Sequence, residues 1–280
     1  MLSYRHGFHA GNHADILKHL VQCLLIRALN RKNKPYSIID THAGAGIYNL
    51  KSAMSSKNQE YKTGISKIIK NSNLKLKVPE FYETIDRLNS VLEDSYPGSP
   101  YFSANLMRDE DKLTLIELHT NEYEILRKNF YKDERINIQH RDGLEALGAI
   151  LPPTPRRGMC FIDPAYEEKN DYINLVKAVK TGLSRWSTGV FVIWYPVLGK
   201  LRDHSKNLTS EIKRLNVPML QAELRVEAQD DVYGMCGSGM LILNYPYGID
   251  KEISDVLGEL YRSLCNKDGQ AKLKILVPQP

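Results

Sequence analysis

The sequence predicts an α/β fold: a mostly parallel sheet with helices on both faces and a small helical insertion. Three observations carry that expectation. Short apolar runs alternate with helical stretches along most of the 280 residues, the pattern of strands joined by crossover helices. The first run ends in Asp40-Thr41-His42-Ala43-Gly44-Ala45-Gly46, a turn whose glycines let main chain pass close to a ligand. A later run, Met159-Cys160-Phe161-Ile162, passes straight into Asp163-Pro164-Ala165-Tyr166. Open sheets of this kind bind ligands at the carboxyl ends of their strands.

Taken in order, the first element is a helix from Asn12 or His13 to about Asn30. Ile16, Leu17, Leu20, Val21, Leu24, Leu25 and Leu29 recur at helical spacing. Asn33 to Pro35 breaks it, and Tyr36 to Asp40 reads as a buried strand. Residues 48–97 are rich in Lys, Ser and Asn, with a helical stripe at Phe81, Ile85, Leu88 and Leu92. They are expected to form the helical insertion, leaving 1–47 and 98–280 as the core with an N-terminal arm. Tyr101 to Arg108 follows as a helix, then a strand over Leu113–Glu117 and a helix over about Thr120–Tyr131. A strand at Ile136–His140, a helix to Leu151, the Met159–Ile162 strand and a helix over Tyr172–Ser184 continue the alternation. Gly189 to Trp194 is another buried strand, and a helix spans about Ser205–Leu215. Leu220–Val226 and Met240–Asn244 close the sheet, close enough together to add an antiparallel edge. Gly234 to Gly239 has the composition either of a flexible hairpin loop or of a phosphate loop.

Composition sets broad limits. Hydrophobic residues make up 42% and charged residues 25%, ordinary for a globular protein. The net charge of +5 weakly favours a polyanionic partner. The four cysteines form no CxxC pair, which fits a reducing, cytoplasmic setting and gives no zinc framework. Four histidines fall between Met1 and His19 without a cysteine or paired acids, so no metal is expected. The N-terminus lacks an apolar core of the signal-peptide type. No stretch approaches the length of a membrane span.

The turn after the first strand has Asn49 where a dinucleotide fingerprint places its third glycine. Glu117 ends the next strand, where an acid can bond ribose hydroxyls. Asp142-Gly143 ends the one after, suited either to a helix cap or to reading an adenine edge. Gly44 and Gly46, with acids at three successive strand tips, suit S-adenosylmethionine better than NAD and leave Asp163 for the substrate. At that tip the Asp163 carboxylate and the Pro164 carbonyl can accept both N–H bonds of an exocyclic amine, and Tyr166 can stack on the ring. Such bonds localise the nitrogen lone pair toward a methyl donor. An Asx turn at a strand end is the structural reading of the same residues.

Asp163 to Tyr166 resembles the Asp/Asn-Pro-Pro-Tyr/Phe motif of class I S-adenosylmethionine-dependent amino methyltransferases, with Ala165 where proline is usual. Further motifs run from Met1-Leu2-Ser3-Tyr4-Arg5-His6 through Gly11-Asn12-His13-Ala14-Asp15 to Lys18-His19. With Tyr96-Pro97-Gly98-Ser99-Pro100, Glu117-Leu118-His119 and Trp194-Tyr195-Pro196-Val197, they are similar to the bacterial 23S ribosomal RNA adenine-N6 methyltransferase family over nearly the full length. That resemblance implies a Rossmann-like methyltransferase acting on 23S ribosomal RNA, as free or early-assembly RNA. It implies that His19, His42, Ser99, Glu117, Asp142, Gly143 and Asp163 line the cofactor, that Asp163 is catalytic, and that Tyr4 meets the RNA. From the residues alone, Tyr4, Arg5 and His6 are either an RNA-contacting arm or ordinary packing, and Lys18 is either a solvated lysine or a cation near the reaction centre. Competing expectations are a DNA adenine-N6 methyltransferase with the insertion as its recognition segment, a nucleotide-binding oxidoreductase, and a non-catalytic RNA-binding protein.

Overall fold

A computed structural model of the chain describes residues 6–230 and 234–279. In chain order its elements are α1 (His13–Asn30), β1 (Ser37–Asp40), β2 (Ile47–Asn49), α2 (Ala53–Asn58), α3 (Ile65–Ile68), α4 (Ser72–Lys77), α5 (Pro79–Asn89), β3 (Ser95–Pro97), α6 (Ser99–Leu106), β4 (Lys112–Glu117) and α7 (Thr120–Phe130). They continue as β5 (Ile136–His140), α8 (Gly143–Ile150), β6 (Gly158–Ile162), α9 (Lys169–Arg185), β7 (Val190–Leu198), α10 (Ser205–Lys213), β8 (Met219–Arg225), β9 (Met235–Leu243), α11 (Ile249–Leu264) and β10 (Gln270–Val277).

Eight strands form one sheet in the order β10-β8-β9-β7-β6-β1-β4-β5. β5, β4, β1, β6 and β7 run parallel to one another. β9 enters antiparallel between β7 and β8, and β10 adds a further antiparallel edge. The central β6 is flanked on both sides and all five of its residues are buried, which is why it reads as a continuous apolar run.

Side chains alternate between two cores. Met159, Phe161, Val190 and Val192 face the core that contains α1, while Cys160, Ile162, Phe191 and Ile193 face the opposite one. The same period of two carries Asp163 and Trp194 to the α1 side. α1 starts at Asn12, whose side chain accepts from the Ala14 and Asp15 amides at 3.0 Å, a strong cap. Its buried residues lie all around the helix, because it is wedged between the sheet, α6 and α11.

The insertion closes on itself. β2 and β3 pair antiparallel, with Tyr48 opposite Tyr96, so chain leaves and returns at one point. Its apolar side chains Ile65, Ile68, Leu74, Phe81 and Tyr82 join the same core as α1. Leu92 does not continue the stripe: α5 ends at Asn89 and Leu92 is half exposed.

Two further differences from the sequence reading concern the C-terminal part. Met235 to Gly239 is neither loop nor phosphate site but the start of β9. A Cβ on Gly237 would lie 2.3 Å from the Leu224 carbonyl, and one on Gly239 would lie 2.2 Å from the Tyr195 ring. These glycines therefore serve close packing. Beyond Asn244 the chain adds α11 and β10, which the sequence reading did not assign.

Candidate active site

A cavity of about 690 Å³ opens at the carboxyl ends of β1, β4, β6 and β7. It is lined by His6, Lys18, His19, His42, Gly44, Ser99, Glu117, Asp142, Gly143, Asp163 and Pro164. The fold thus gathers into one place residues spread over about 160 positions. Gly46 and Tyr166 are not in the lining, and Tyr4 lies outside the described residues.

One half is lined by polar groups at the tips of β1, β4 and β5. Gly44 takes a left-handed φ of 58° and donates its amide to Glu117 Oε2 at 2.7 Å, while the His119 amide donates to Oε1 at 2.7 Å. Those bonds fix the carboxylate at the cavity wall, and burial pushes its pKa up. Gly46, at φ 77°, supports this turn from behind: a Cβ there would strike the Phe130 ring at 2.5 Å. Asp142 caps α8, its Oδ1 accepting from the Leu144 and Glu145 amides. Gly143 is required for packing, since a Cβ would sit 1.9 Å from the Thr41 carbonyl. His42 bonds Thr41 through Nδ1 at 2.8 Å, and burial lowers its pKa.

His19 is 1% exposed and lies against Phe102 and Tyr96. Its Nδ1 meets the Tyr96 hydroxyl at 2.9 Å. Burial drives the imidazole pKa well down and the phenol pKa well up, so the phenol keeps its proton and the ring is neutral. Nε2 is buried and has no hydrogen-bond partner among the described residues. Ser99 opens α6 and donates its hydroxyl to Asp40 Oδ2 at 2.6 Å. That carboxyl is fully buried, and burial raises it to about 7.

The other half is a chain of charges. Lys18 Nζ lies 2.6 Å from Asp163 Oδ2 and 2.9 Å from Asp15 Oδ1. Asp15 Oδ2 in turn meets His6 Nε2 at 2.9 Å and accepts the Gly11 amide. Lys18 is only 5% exposed, so the solvated-lysine reading does not hold. Burial alone would raise the Asp15 carboxyl, but the adjoining His6 and Lys18 charges and the His6 bond hold it well below the ordinary value. Asp163 Oδ1 has no hydrogen-bond partner among the described residues.

Tyr166 departs from the expected stacking role. It takes a left-handed φ of 53°, a strained position for a side-chain-bearing residue. Its ring packs into the second core against Tyr172, with centroids 4.5 Å apart, and its hydroxyl donates to the Trp194 carbonyl at 2.6 Å. Tyr166 anchors the loop that presents Asp163 and Pro164, with its own ring turned away from the cavity. Trp194 is the aromatic that lines the cavity there, its ring centroid 5.9 Å from Lys18 Nζ.

The family model described as "Ribosomal RNA large subunit methyltransferase D, RlmJ" matches residues 33–277. The chain is 40% identical over 282 residues to "Ribosomal RNA large subunit methyltransferase J" of Escherichia coli (strain K12), covering 100% of both. Against the protein of the same name from Haemophilus influenzae it is 39% identical, covering 94% of both. The crystal structure of protein LPL1258 from Legionella pneumophila superposes with a TM-score of 0.86 at 35% identity, covering 95% of this chain and 98% of that one. The chain belongs to the RlmJ family of ribosomal RNA large subunit methyltransferases. Its sheet order and single antiparallel β9 within the core are those of a Rossmann-like class I methyltransferase, so the oxidoreductase expectation is set aside.

Sequence reasoning gave no role in this RlmJ-family site to Asp15 or Trp194, and counted Asp40 only as one of three acids at strand tips. Asp15 carried a usable signal, three residues before Lys18 on one helix face. Trp194 ended the apolar run read as the strand Gly189–Trp194, which neighbours β6. Asp40 looked like an ordinary strand end. Among the described residues no cluster of three or more His, Cys, Asp or Glu is placed to hold a metal. No helix among the described residues is long and apolar enough to cross a membrane. His6, His9 and His19 instead pair with Asp15, Glu60 and Tyr96.

Proposed function

We propose that the protein methylates the N6 amine of an adenine in 23S ribosomal RNA, with Asp163 and Pro164 as the groups that hold the amine. The observation that carries this reading is the strand tip itself. Asp163, whose Oδ1 has no hydrogen-bond partner among the described residues, and Pro164 line a cavity whose other half suits a nucleoside-bearing methyl donor. Lys18 occupies Oδ2 of Asp163, leaving Oδ1 to accept one N6–H bond while the Pro164 carbonyl accepts the other. These bonds draw the nitrogen lone pair out of conjugation and point it at the donor. The proton leaves N6 along the bond to Asp163. Positioning then supplies much of the acceleration. The indole of Trp194 offers the stacking face first expected of Tyr166.

S-adenosylmethionine, when bound, supplies the activated methyl group. The residues fit it: His19 Nε2, buried with no partner among the described residues, carries the proton that an amino-acid carboxylate accepts. Glu117 and Asp142 suit ribose hydroxyls and an adenine amine. Ser99 spends its hydroxyl on Asp40, so its contribution is the amide at the start of α6.

The test is tritiated methyl incorporation into deproteinised 23S RNA and into adenine-containing DNA. Wild-type protein labels the RNA, and Asp163→Ala lowers the rate by about 10²–10⁴-fold, the usual loss for a positioned acid/base group. Full activity in Asp163→Ala removes Asp163 from the chemistry. Labelling of DNA in preference to RNA assigns the substrate instead to the DNA alternative.

A further inference from the structure

Seven lysines and a single acid, Glu60, lie between residues 51 and 77. The whole chain has a net charge of +5, yet this segment alone carries +6, so everything outside it sums to −1. The one acid is turned inward, bonded to His9 and Asn12. Lys51 and Lys75 are met by Asp94 and Asp86. Lys57, Lys62, Lys67 and Lys70 are exposed and make no ion pair among the described residues.

This basic lobe is stitched to the chain that runs into the cavity. The Ser55 hydroxyl donates to the Gly7 carbonyl at 2.8 Å, and the Ile65 amide donates to the Gly11 carbonyl at 2.8 Å. Gly64 lies so close that a Cβ would sit 2.0 Å from the Gly11 carbonyl. His6, one residue before Gly7, lines the cavity beside Lys18 and Asp163. The rim formed by α8 and the approach to α9 is acidic, with Glu145, Glu167, Glu168 and Asp171. A polyanion is therefore repelled from that rim and attracted to the insertion.

Resting on the reading of ribosomal RNA as substrate, we propose that the lysine lobe of α2 to α4 is the surface on which the RNA backbone docks. Lysines are compact point charges on flexible stems, suited to phosphates without reading bases. The lobe sets where the RNA lies; the cavity selects the base.

The test compares the full chain with a Lys62→Gln/Lys67→Gln/Lys70→Gln variant, binding a labelled, deproteinised 23S fragment across a salt series. Losing three phosphate contacts weakens binding about ten- to fifty-fold near 0.15 M salt. It also makes the slope of log affinity against log salt shallower by about 2. Turnover at saturating RNA and affinity for S-adenosylmethionine stay at wild-type levels. A Lys200→Gln/Lys206→Gln/Lys213→Gln variant changes the same charge beside and on α10, which packs against the other core, and keeps the wild-type slope. The proposal is overturned if the insertion variant binds like wild type, or if the α10 variant weakens binding equally. A wild type that binds S-adenosylmethionine but methylates no RNA removes the substrate reading itself, an outcome distinct from either.

Discussion

Burial raises the Asp40 carboxyl to about 7, against about 3.9 for an unfolded aspartate. Between those values the folded chain binds the extra proton, so stability falls as pH rises through the window. The Ser99 hydroxyl only partly offsets this, and the nearby Asp163 charge adds to it. Asp40→Asn removes the ionisation while keeping an oxygen for Ser99. The variant is expected to melt above wild type at pH 8, with the difference shrinking toward pH 5. Paired thermal melts over pH 5–8 check it, and a pH-independent difference would refute the assignment to Asp40. This site residue keeps a strained charge state where stability alone would favour an amide. Little of that was legible in the sequence. Asp40 ends a strand like many acids, and its cost arises from burial in the assembled fold and from the charge of Asp163, 123 positions away. The Lys18–Asp163 pair is hidden for the same reason, since no local period joins a helix to a strand tip 145 residues on.

At the scale of elements, periodicity carried most of the reading. α1, β5 and β6 fall where apolar spacing put them, because α1 and β6 are buried almost throughout and β5 carries its apolar residues at alternate positions. β10 is an edge strand with alternating, largely exposed residues, so its apolar signal is weak. The β9 glycines look like a loop because sequence cannot show that neighbouring strands need the space. The clamp between the insertion and residues 7–12 is likewise a tertiary product, and it responds to pH. The Glu60 bond raises the His9 pKa. Burial pushes the Glu60 carboxyl up, but bonds from His9 and Asn12 outweigh it and hold it low. A histidine with a raised pKa stabilises fully below its unfolded value near 6.5, and the contribution is lost as pH rises through the folded value. Protection of the Ile65 amide, which donates to Gly11, should therefore fall as pH rises above the ordinary histidine value of about 6.5, and Glu60→Gln should flatten that dependence. Hydrogen exchange, corrected for the intrinsic rate, measures both. Equal pH dependence in the two proteins would mean that the ion pair does not hold the clamp.

For the whole molecule, the question is whether the insertion is a domain of its own. Residues 48–97 have the local look of one, returning through β2 and β3 to the point where they left. Their core argues otherwise. Phe81 of α5 is fully buried and stacks on Phe102 of α6, with centroids 5.3 Å apart and planes 8° from parallel. Phe102 in turn contacts His19 in the cavity wall, with centroids 4.8 Å apart. Arg27 of α1 is bonded to Glu80 at the start of α5, tying the same elements by charge. We therefore expect a single cooperative unfolding transition, with no separate melting of the insertion. Phe81→Ala should destabilise the entire chain by about 3–5 kcal/mol, as for other buried aromatics. It should also weaken S-adenosylmethionine binding, because the cavity left behind lets Phe102 and His19 shift. Calorimetry and cofactor titration of that variant test the two halves together. A second, low-temperature transition confined to the insertion, with cofactor affinity intact, would show that residues 48–97 fold independently of the site they border.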